Sequence, residues 1–372
     1  MEDYFFFLGR NPELSLQEII SFLEARGIKG GFKQEGNIAL FSIEESVNPE
    51  EIIEKLGGTI KIGISLLKGS QKSVLDELKK LNLYEGAESK LKFTVNVYPE
   101  DPAIFQKAKE ILEDYFKKER IRALFRQPSE TPSGSLKFDL EFFIAKIGKN
   151  SYFGKIGAVY NSKDAEFRDM NKPFRRSEYA ISPRLAKILI NLSGASENET
   201  LLDPFCGVGT IIQEALLGRI NVIGIDMDAG IIENCKRNIL WLRKNYDISP
   251  EYQIFCSNAI DAPKILKENV DAIASEPFLI PLITYTPKDK EARKMITKAK
   301  ETYIKTLLEL KKVLKDSRRI ALSLPVMKAR ESKVYLNIEE ICERTGLKLV
   351  AGPFAEAREG QKVEREIVVL EK

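Results

Sequence analysis

The spacing of hydrophobic residues changes along the chain and predicts three structured regions. In about residues 1–85, short apolar runs such as YFFFL (4–8) and NIALFSI (37–43) alternate with stretches whose apolar residues have helical spacing. In about residues 86–160, LKFTVNVY (91–98) alternates strictly, and a helix is expected from about Pro102 to Lys118. Each of these two regions is expected to form a small α+β unit.

The remainder of the chain has a different texture. Residues 161–180, NSKDAEFRDMNKPFRRSEYA, are polar and without periodicity, which predicts a linker. Residues 181–372 alternate apolar strands with amphipathic helices, including strands LLD (201–203), NVIGID (221–226) and VDAIAS (270–275). This order predicts an α/β fold with a parallel, doubly wound sheet, whose ligands bind at the carboxyl ends of the strands.

Composition narrows the chemistry that this fold can carry. The chain contains no histidine, which excludes catalytic triads with a histidine base and most zinc or iron sites. Its four cysteines form no C-x-x-C pair, so we expect no metal site. We expect the thiols to be reduced, as in a cytoplasmic protein. No apolar run approaches the roughly 20 residues that span a membrane. Residues 91–190 carry 19 lysines and arginines against 13 aspartates and glutamates, a bias that permits an anionic partner.

The first candidate binding stretch is LLDPFCGVGT (201–210). A strand ends at Asp203, and Gly207 and Gly209 allow the backbone to approach a ligand before a helix begins near Thr210. The spacing matches neither G-x-G-x-x-G nor a Walker loop. An aspartate at the strand end disfavours a phosphate and favours a cationic or neutral ligand.

Two further strand ends carry polar residues. Asp226 ends the next strand, 17 residues after Gly209, where a carboxylate can accept hydrogen bonds from ribose hydroxyls. Met227 beside it can pack on an adenine ring. In CSNAIDA (256–262), Asn258 or Asp261 can bond an adenine amino group, although a polar turn explains this stretch equally well.

Together these stretches resemble class I methyltransferases that use S-adenosylmethionine. Asp203–Thr210 looks like the D-P-F-C-G-x-G-T loop of RNA and DNA base-amino methyltransferases. Residues 174–195, FRRSEYAISPRLAKILINLSGA, and 358–372, REGQKVEREIVVLEK, are similar to the tRNA guanosine-10 N2-methyltransferase family of archaea and eukaryotes.

This resemblance implies an organisation and a set of binding residues. Residues 1–85 would be a ferredoxin-like region, 86–160 a THUMP RNA-binding region, and 181–372 the Rossmann-like methyltransferase domain. The cofactor-binding residues would be Asp203, Gly207 and Gly209 for the methionine part, Asp226 for the ribose, and Met227 and Asn258 for the adenine, together with Phe205 and Ala259. Asn258 stands where the family usually has an acidic residue.

The fourth strand of that family ends in Asp-Pro-Pro-Tyr, and here the corresponding residues are Ser275, Glu276, Pro277 and Phe278. Guanine N2 is a poor nucleophile, so such a loop supplies oxygens that accept its hydrogens and an aromatic ring that stacks on the extruded base. Positioning for in-line transfer from a sulfonium then supplies much of the rate.

The departures at Ser275 and Glu276 leave three interpretations open. Glu276 supplies the missing carboxylate, with Ser275 as a hydroxyl acceptor. Alternatively, the pocket is retuned for another base or position. In the third interpretation, the domain is vestigial or activated by a partner, and the chain acts as an RNA-binding protein.

Basic side chains are the candidates for RNA contact. Lys117, Lys118, Arg122 and Arg126 lie close together in sequence, and Arg175 and Arg176 precede the cofactor domain. A solvated helix face explains any single one of them equally well. The expected partners are tRNA and a small activator subunit, with no membrane.

Overall fold

The computed structural model describes residues 1–86, 88, 90–127, 138–175, 181–277, 285–356 and 363–372. They group into two compact units. Unit 1 comprises Met1–Pro12 and Ile28–Asp164, and unit 2 comprises Glu13–Gly27 and Ala165–Lys372. Helix α1 (Pro12–Ala25) therefore belongs almost entirely to unit 2, although strands of unit 1 precede and follow it in the chain.

Unit 1 is built on one eight-stranded mixed sheet. Its strands are β1 (Glu2–Leu8), β2 (Gly30–Glu35), β3 (Ile38–Ile43), β4 (Thr59–Gly69), β5 (Lys90–Tyr98), β6 (Arg122–Phe125), β7 (Leu140–Ile147) and β8 (Asn150–Val159). They lie in the order β2-β3-β1-β4-β8-β7-β5-β6. The helices that follow these strands are α2 (Pro49–Lys55), α3 (Gln71–Leu78) and α4 (Pro102–Lys118).

The strands from both predicted amino-terminal regions join in this one sheet. β4 of the first region pairs with β8 of the second, for example through Ile62 and Ala158. The boundary expected near residue 85 thus falls within a continuous sheet, and the division into ferredoxin-like and THUMP regions stays a prediction. Aromatic residues fill the interior, where Phe5 contacts both Phe143 and Tyr152.

Unit 2 contains the predicted doubly wound sheet. Its strands are β9 (Thr200–Asp203), β10 (Asn221–Asp226), β11 (Tyr252–Cys256), β12 (Ala272–Ser275), β13 (Arg319–Lys328), β14 (Lys333–Val334), β15 (Lys348–Glu356) and β16 (Val363–Glu371). The order is β11-β10-β9-β12-β13-β16-β15, with β14 paired to β13. The first five strands of that order are parallel, and β16 runs antiparallel to β13 and β15. The predicted α/β class is confirmed.

Helices cover both faces of this sheet. In chain order they are α5 (Ser162–Asn171), α6 (Pro183–Leu192), α7 (Thr210–Leu217), α8 (Ala229–Asn245), a 3₁₀ turn (Ala259–Asp261), α9 (Ala262–Ile265), α10 (Asp289–Val313) and α11 (Ile338–Thr345). Side chains alternate along β12, so that Ala274 packs with α6, α7 and α8, whereas Ile273 packs with α10 and α11. Two apolar layers therefore fix the strand ends. None of the helices in the described ranges is long and apolar enough to cross a membrane.

Helix α5 occupies part of the stretch that was expected to be an irregular linker. It carries little apolar periodicity because, besides the ring contact of Phe167 with Trp241, it is held to unit 2 by charged side chains. Arg168 is buried and donates two hydrogen bonds to Glu214 of α7, at 2.8 and 3.1 Å. The buried Lys172 ammonium donates to Asp169 and to Thr210 at the first position of α7. A hydrophobicity pattern could not reveal a helix that is held in this way.

Candidate functional site

The loop between β9 and α7 has the backbone geometry that its glycines predict. Gly207 and Gly209 have φ angles of +53° and +87°, a region that side chains strongly disfavour. A Cβ at Gly209 would lie 2.7 Å from the Cys235 sulfur, whereas one at Gly207 would meet nothing within 4 Å. Gly209 therefore packs closely on α8, and the backbone at Gly207 faces open space that a ligand can enter.

Asp226 at the end of β10 holds this loop in place. Its Oδ2 accepts a hydrogen bond from the Gly207 N–H at 3.1 Å, and its Oδ1 accepts one from the Asp228 N–H at 3.0 Å. Each carboxylate oxygen has further lone pairs, so the half-buried group can still accept bonds from hydroxyls. The carboxylate predicted to hold a ribose thus lies directly beside the glycine loop.

Apolar side chains stand exposed next to Asp226. Met227 is 75% exposed and Ile260 is 41% exposed. The Ser257 N–H donates to the Asp226 carbonyl at 2.9 Å, which joins the segment after β11 to the end of β10. Asn258 uses its Oδ1 to accept from the Ile260 N–H, while Ala259 is buried. The predicted roles of Asn258 and Ala259 towards adenine stay predictions.

Asp203 is the most perturbed carboxyl group of this edge. It is 1% exposed, and burial raises its pKa to about 7. Hydrogen bonds from the Ser275 hydroxyl at 2.6 Å and the Phe205 N–H at 3.2 Å oppose this rise, whereas the charges of Asp226 and Glu276 add to it. A buried anion at this position would be stabilised by a cationic ligand.

The catalytic loop predicted at 275–278 divides its side chains between different neighbours. Ser275 is buried against Asp203 of β9. Glu276 accepts hydrogen bonds from Arg365 of β16 and from Ser323 of β13, the latter at 3.2 Å. Phe278 lies outside the described residues.

The backbone after Glu276 is also anchored. The carbonyl of Pro277, a buried residue, accepts a hydrogen bond from the hydroxyl of Tyr303 on α10 at 2.9 Å. Sequence reasoning did not identify Tyr303, Ser323 or Arg365. Arg365 could have been found from the sequence, because it lies in VEREIVV (363–369), within the carboxyl-terminal stretch that resembles the family.

The candidate RNA-contacting residues lie at the protein surface. In unit 1, Lys117 and Lys118 are exposed in the last turn of α4, and Arg122 and Arg126 are exposed at and just after β6. In unit 2, Arg175 is exposed. Arg176 lies outside the described residues, and phosphate contact by all six stays a prediction.

The site fits S-adenosylmethionine, the cofactor that the resemblance implies. Open space lies over the Gly207 backbone, a half-exposed carboxylate follows at Asp226, and an exposed apolar side chain follows at Met227. The buried Asp203 would compensate a positive charge. Among the described residues, no group of three or more cysteine, aspartate or glutamate side chains could hold a metal ion.

These features define a Rossmann-like methyltransferase domain. Residues 173–324 match the family model for the RMKL-like methyltransferase domain, and residues 80–237 match a DNA methylase model. TrmN from Thermus thermophilus has a TM-score of 0.53 at 16% identity, covering 100% of this chain and 99% of that one. At this identity the likeness shows the fold alone.

Relatives from several archaea carry the name tRNA (guanine(10)-N2)-dimethyltransferase. The protein from Methanothermobacter thermautotrophicus is 38% identical over 98 residues, which cover 26% of this chain and 27% of the relative. The protein from Pyrococcus abyssi is 25% identical over 236 residues, 62% of this chain and 65% of the relative. The matches thus span less than two thirds of these relatives' length. They confirm the resemblance to the tRNA guanosine-10 N2-methyltransferase family.

Proposed function

We propose that this chain is a tRNA methyltransferase that transfers a methyl group from S-adenosylmethionine to N2 of guanine, at guanosine-10. The observation that carries the proposal is the hydrogen bond between Asp203, at the end of β9, and Ser275, the first residue of the predicted catalytic loop 275–278, called the target loop below. This contact supports a role for Asp203 in compensating the cofactor's positive charge beside the predicted target-base position. The names of the similar proteins supply the substrate class.

The residues of this chain would bind and orient, because methyl transfer depends on positioning. When bound, the cofactor supplies an electrophilic methyl group on a sulfonium. Asp203, Phe205, Gly207 and Gly209 would surround its methionine part, with the Asp203 anion balancing positive charge. Asp226 would fix the ribose, and Met227, Asn258 and Ala259 would surround the adenine.

At the target loop, we assign different roles to its two polar residues. Ser275 donates its proton to Asp203, so its oxygen lone pairs can accept a hydrogen from the guanine N2 amine. Glu276 would hold the loop through Arg365 and Ser323. Pro277, anchored by Tyr303, would fix the backbone beside the base, and Phe278 would stack on it.

The tRNA would be held by phosphate contacts. Lys117, Lys118, Arg122 and Arg126 of unit 1 and Arg175 and Arg176 of unit 2 are the proposed contacts. A small activator subunit and a cytoplasmic location complete the proposal.

The test measures methyl incorporation from radiolabelled S-adenosylmethionine into unmodified tRNA. We expect N2-methylguanosine by mass spectrometry, and none in a transcript that carries inosine, which lacks the 2-amino group, in place of guanosine-10. Ser275→Ala should lower the rate by about 10- to 1,000-fold, the range for losing one positioned polar group. Glu276→Gln, which keeps a hydrogen-bond acceptor for Ser323, should retain most activity. Incorporation into the inosine transcript would refute the assignment of the target atom.

A second candidate function is RNA binding without efficient methylation by the isolated chain. The observations that favour it are that Ser275 is fully buried and that the Glu276 carboxylate is occupied by Arg365. Cofactor and tRNA binding without incorporation, even at high enzyme concentration, would support this candidate over the enzyme.

A further inference from the structure

Helix α10 connects the target loop to the next strand and runs back along the sheet. At its carboxyl end, the Val313 carbonyl accepts a hydrogen bond from the Val270 N–H, just before β12 begins. Its amino end, at Asp289, therefore lies towards the opposite edge, where β12 ends at Ser275. One face of α10 is buried in the core and includes Tyr303, which binds the Pro277 carbonyl.

The opposite face of α10 carries a row of cations. Lys290, Lys294 and Lys298 follow one another at every fourth position, flanked by Arg293 and followed by Lys305. All five are exposed, and residues four apart lie on the same side of a helix. The row extends over 15 positions, roughly 22 Å along the helix axis.

Within the described part of the chain, no salt bridge is formed by any of these five residues. Other cations of the same helix do have partners. Lys300 pairs with Glu340, Lys312 pairs with Glu309, and Lys311 donates to two backbone carbonyls after α11. Lys311 and Lys312 lie on the same side of the helix as Arg293 and Lys294, 18 residues or five turns away, so the cations without salt bridges are distinguished by their place nearer the amino end of α10.

The acidic residues of α10 offset the row only in part. Arg293 interacts electrostatically with Asp289 and Lys305 with Glu301, and Glu291 accepts a hydrogen bond from Tyr285. Asp289 accepts hydrogen bonds from Ser332 and from the Glu331 N–H, contacts that lower its pKa. Glu301, which lies beside the row, accepts two hydrogen bonds from Arg344 at 2.6 and 2.9 Å. The exposed face thus keeps a net positive charge, concentrated in the half of the helix nearest the target loop.

We propose that this face of α10 binds the sugar-phosphate backbone of the RNA beside the target nucleotide. The inference rests on the proposed function, because RNA is taken as the substrate. Extruding one base from its stack requires the flanking backbone to be held, and the row begins at the edge of the sheet where that base must enter. The regularly spaced cations match a polyanion, and the exposed apolar side chain of this face, Leu308, lies beyond the row towards the carboxyl end of α10.

The test compares two triple variants that remove equal charge. Lys290→Gln, Lys294→Gln and Lys298→Gln remove the centre of the row. Lys236→Gln, Lys244→Gln and Lys312→Gln are the control, taken from α8 and from the paired cation of α10. The dissociation constant for unmodified tRNA is measured by fluorescence anisotropy at several salt concentrations, with the cofactor dissociation constant as a check of the folded site.

We expect the row variant to bind tRNA on the order of 10- to 100-fold more weakly. The slope of log affinity against log salt should fall by roughly 2 to 3, because each lost phosphate contact removes about 0.7 to 0.9. Cofactor affinity should be unchanged, and the control should differ from wild type by less than about twofold. Saturating tRNA should restore the methylation rate of the row variant.

Unchanged tRNA affinity and slope in the row variant would overturn the inference while leaving the proposed function intact. Failure of the wild-type protein to bind tRNA would overturn both. Loss of activation by an added acidic protein, with tRNA affinity unchanged, would assign the face to that protein and also overturn the inference.

Discussion

Cofactor affinity should depend on pH through Asp203. This carboxyl group has a pKa of about 7 because it is buried, and two nearby carboxylates, Asp226 and Glu276, oppose its ionisation further. A bound sulfonium and ammonium favour the anion, so cofactor binding should draw the proton off Asp203. Lowering the pH should therefore weaken binding of S-adenosylmethionine.

The size of the effect follows from the ionised fraction of the free protein. If the cofactor binds to the anionic form, the apparent dissociation constant is the intrinsic one divided by that fraction. With a pKa of about 7, the ionised fraction is roughly nine tenths at pH 8 and one tenth at pH 6. The dissociation constant should therefore rise about tenfold between these pH values.

Isothermal titration calorimetry can measure both the affinity and the proton. At pH 7, titrations in two buffers of different ionisation enthalpy should show release of about half a proton per cofactor bound. Asp203→Asn should abolish the part of the pH dependence due to this group. Asp226→Asn is the matched control, which should weaken binding but keep a pH dependence, displaced to lower pH because a charge that raises the pKa of Asp203 is removed. A flat profile in the wild type, or the same slope in Asp203→Asn, would refute the reasoning.

Three further changes test the architecture around the site. The raised pKa of Asp203 makes the folded protein lose stability as the pH rises from the unfolded value of about 4 to the folded value of about 7. The free energy of unfolding of Asp203→Asn, taken relative to wild type and measured in urea, should therefore increase by roughly 2–3 kcal/mol between pH 5 and pH 8; a constant difference would contradict this. Gly209→Ala should cost about 1–3 kcal/mol and weaken cofactor binding, because its φ is +87° and its Cβ would meet Cys235; wild-type affinity would argue against a rigid loop. Glu214→Leu should cost about 3–5 kcal/mol by thermal unfolding, because Arg168 stays buried without its bidentate partner, whereas exposed Glu233→Leu should change stability little.

The parts of the fold that follow apolar periodicity were predictable from sequence. The alternation after residue 181 indicated the parallel sheet, and the helix expected from about Pro102 to Lys118 is found as α4 at Pro102–Lys118. Strand ends with glycine and aspartate located the cofactor edge, because parallel strands bring their carboxyl ends together. The Gly207–Asp226 hydrogen bond is the direct outcome.

The parts held by polar contacts between distant residues were not predictable in this way. Helix α5 is fixed by Arg168 and Glu214, 46 positions apart, and leaves no apolar pattern. Likewise Arg365 reaches Glu276 across 89 positions, because antiparallel β16 lies beside β13. The sequence alone does not reveal that register. The grouping of helix α1 with unit 2, where buried Glu18 accepts a hydrogen bond from Asn191 at 2.8 Å, depends on the same kind of contact.

The positions of Ser275 and Glu276 show why moving a carboxylate by one residue along the chain changes the groups that it contacts. Successive side chains of a strand point to opposite faces of the sheet, and β12 ends at Ser275, so Glu276 does not take the place of a carboxylate at position 275. Ser275 meets Asp203 of β9, and Glu276 meets Ser323 and Arg365 on the other side of β12 in the sheet order. The acidic group beside Ser275 is therefore supplied by Asp203 at the end of β9. If this chain methylates guanine N2, its carboxylate and its hydroxyl acceptor come from two different strands, whereas the related Asp-Pro-Pro-Tyr loop carries its carboxylate on one.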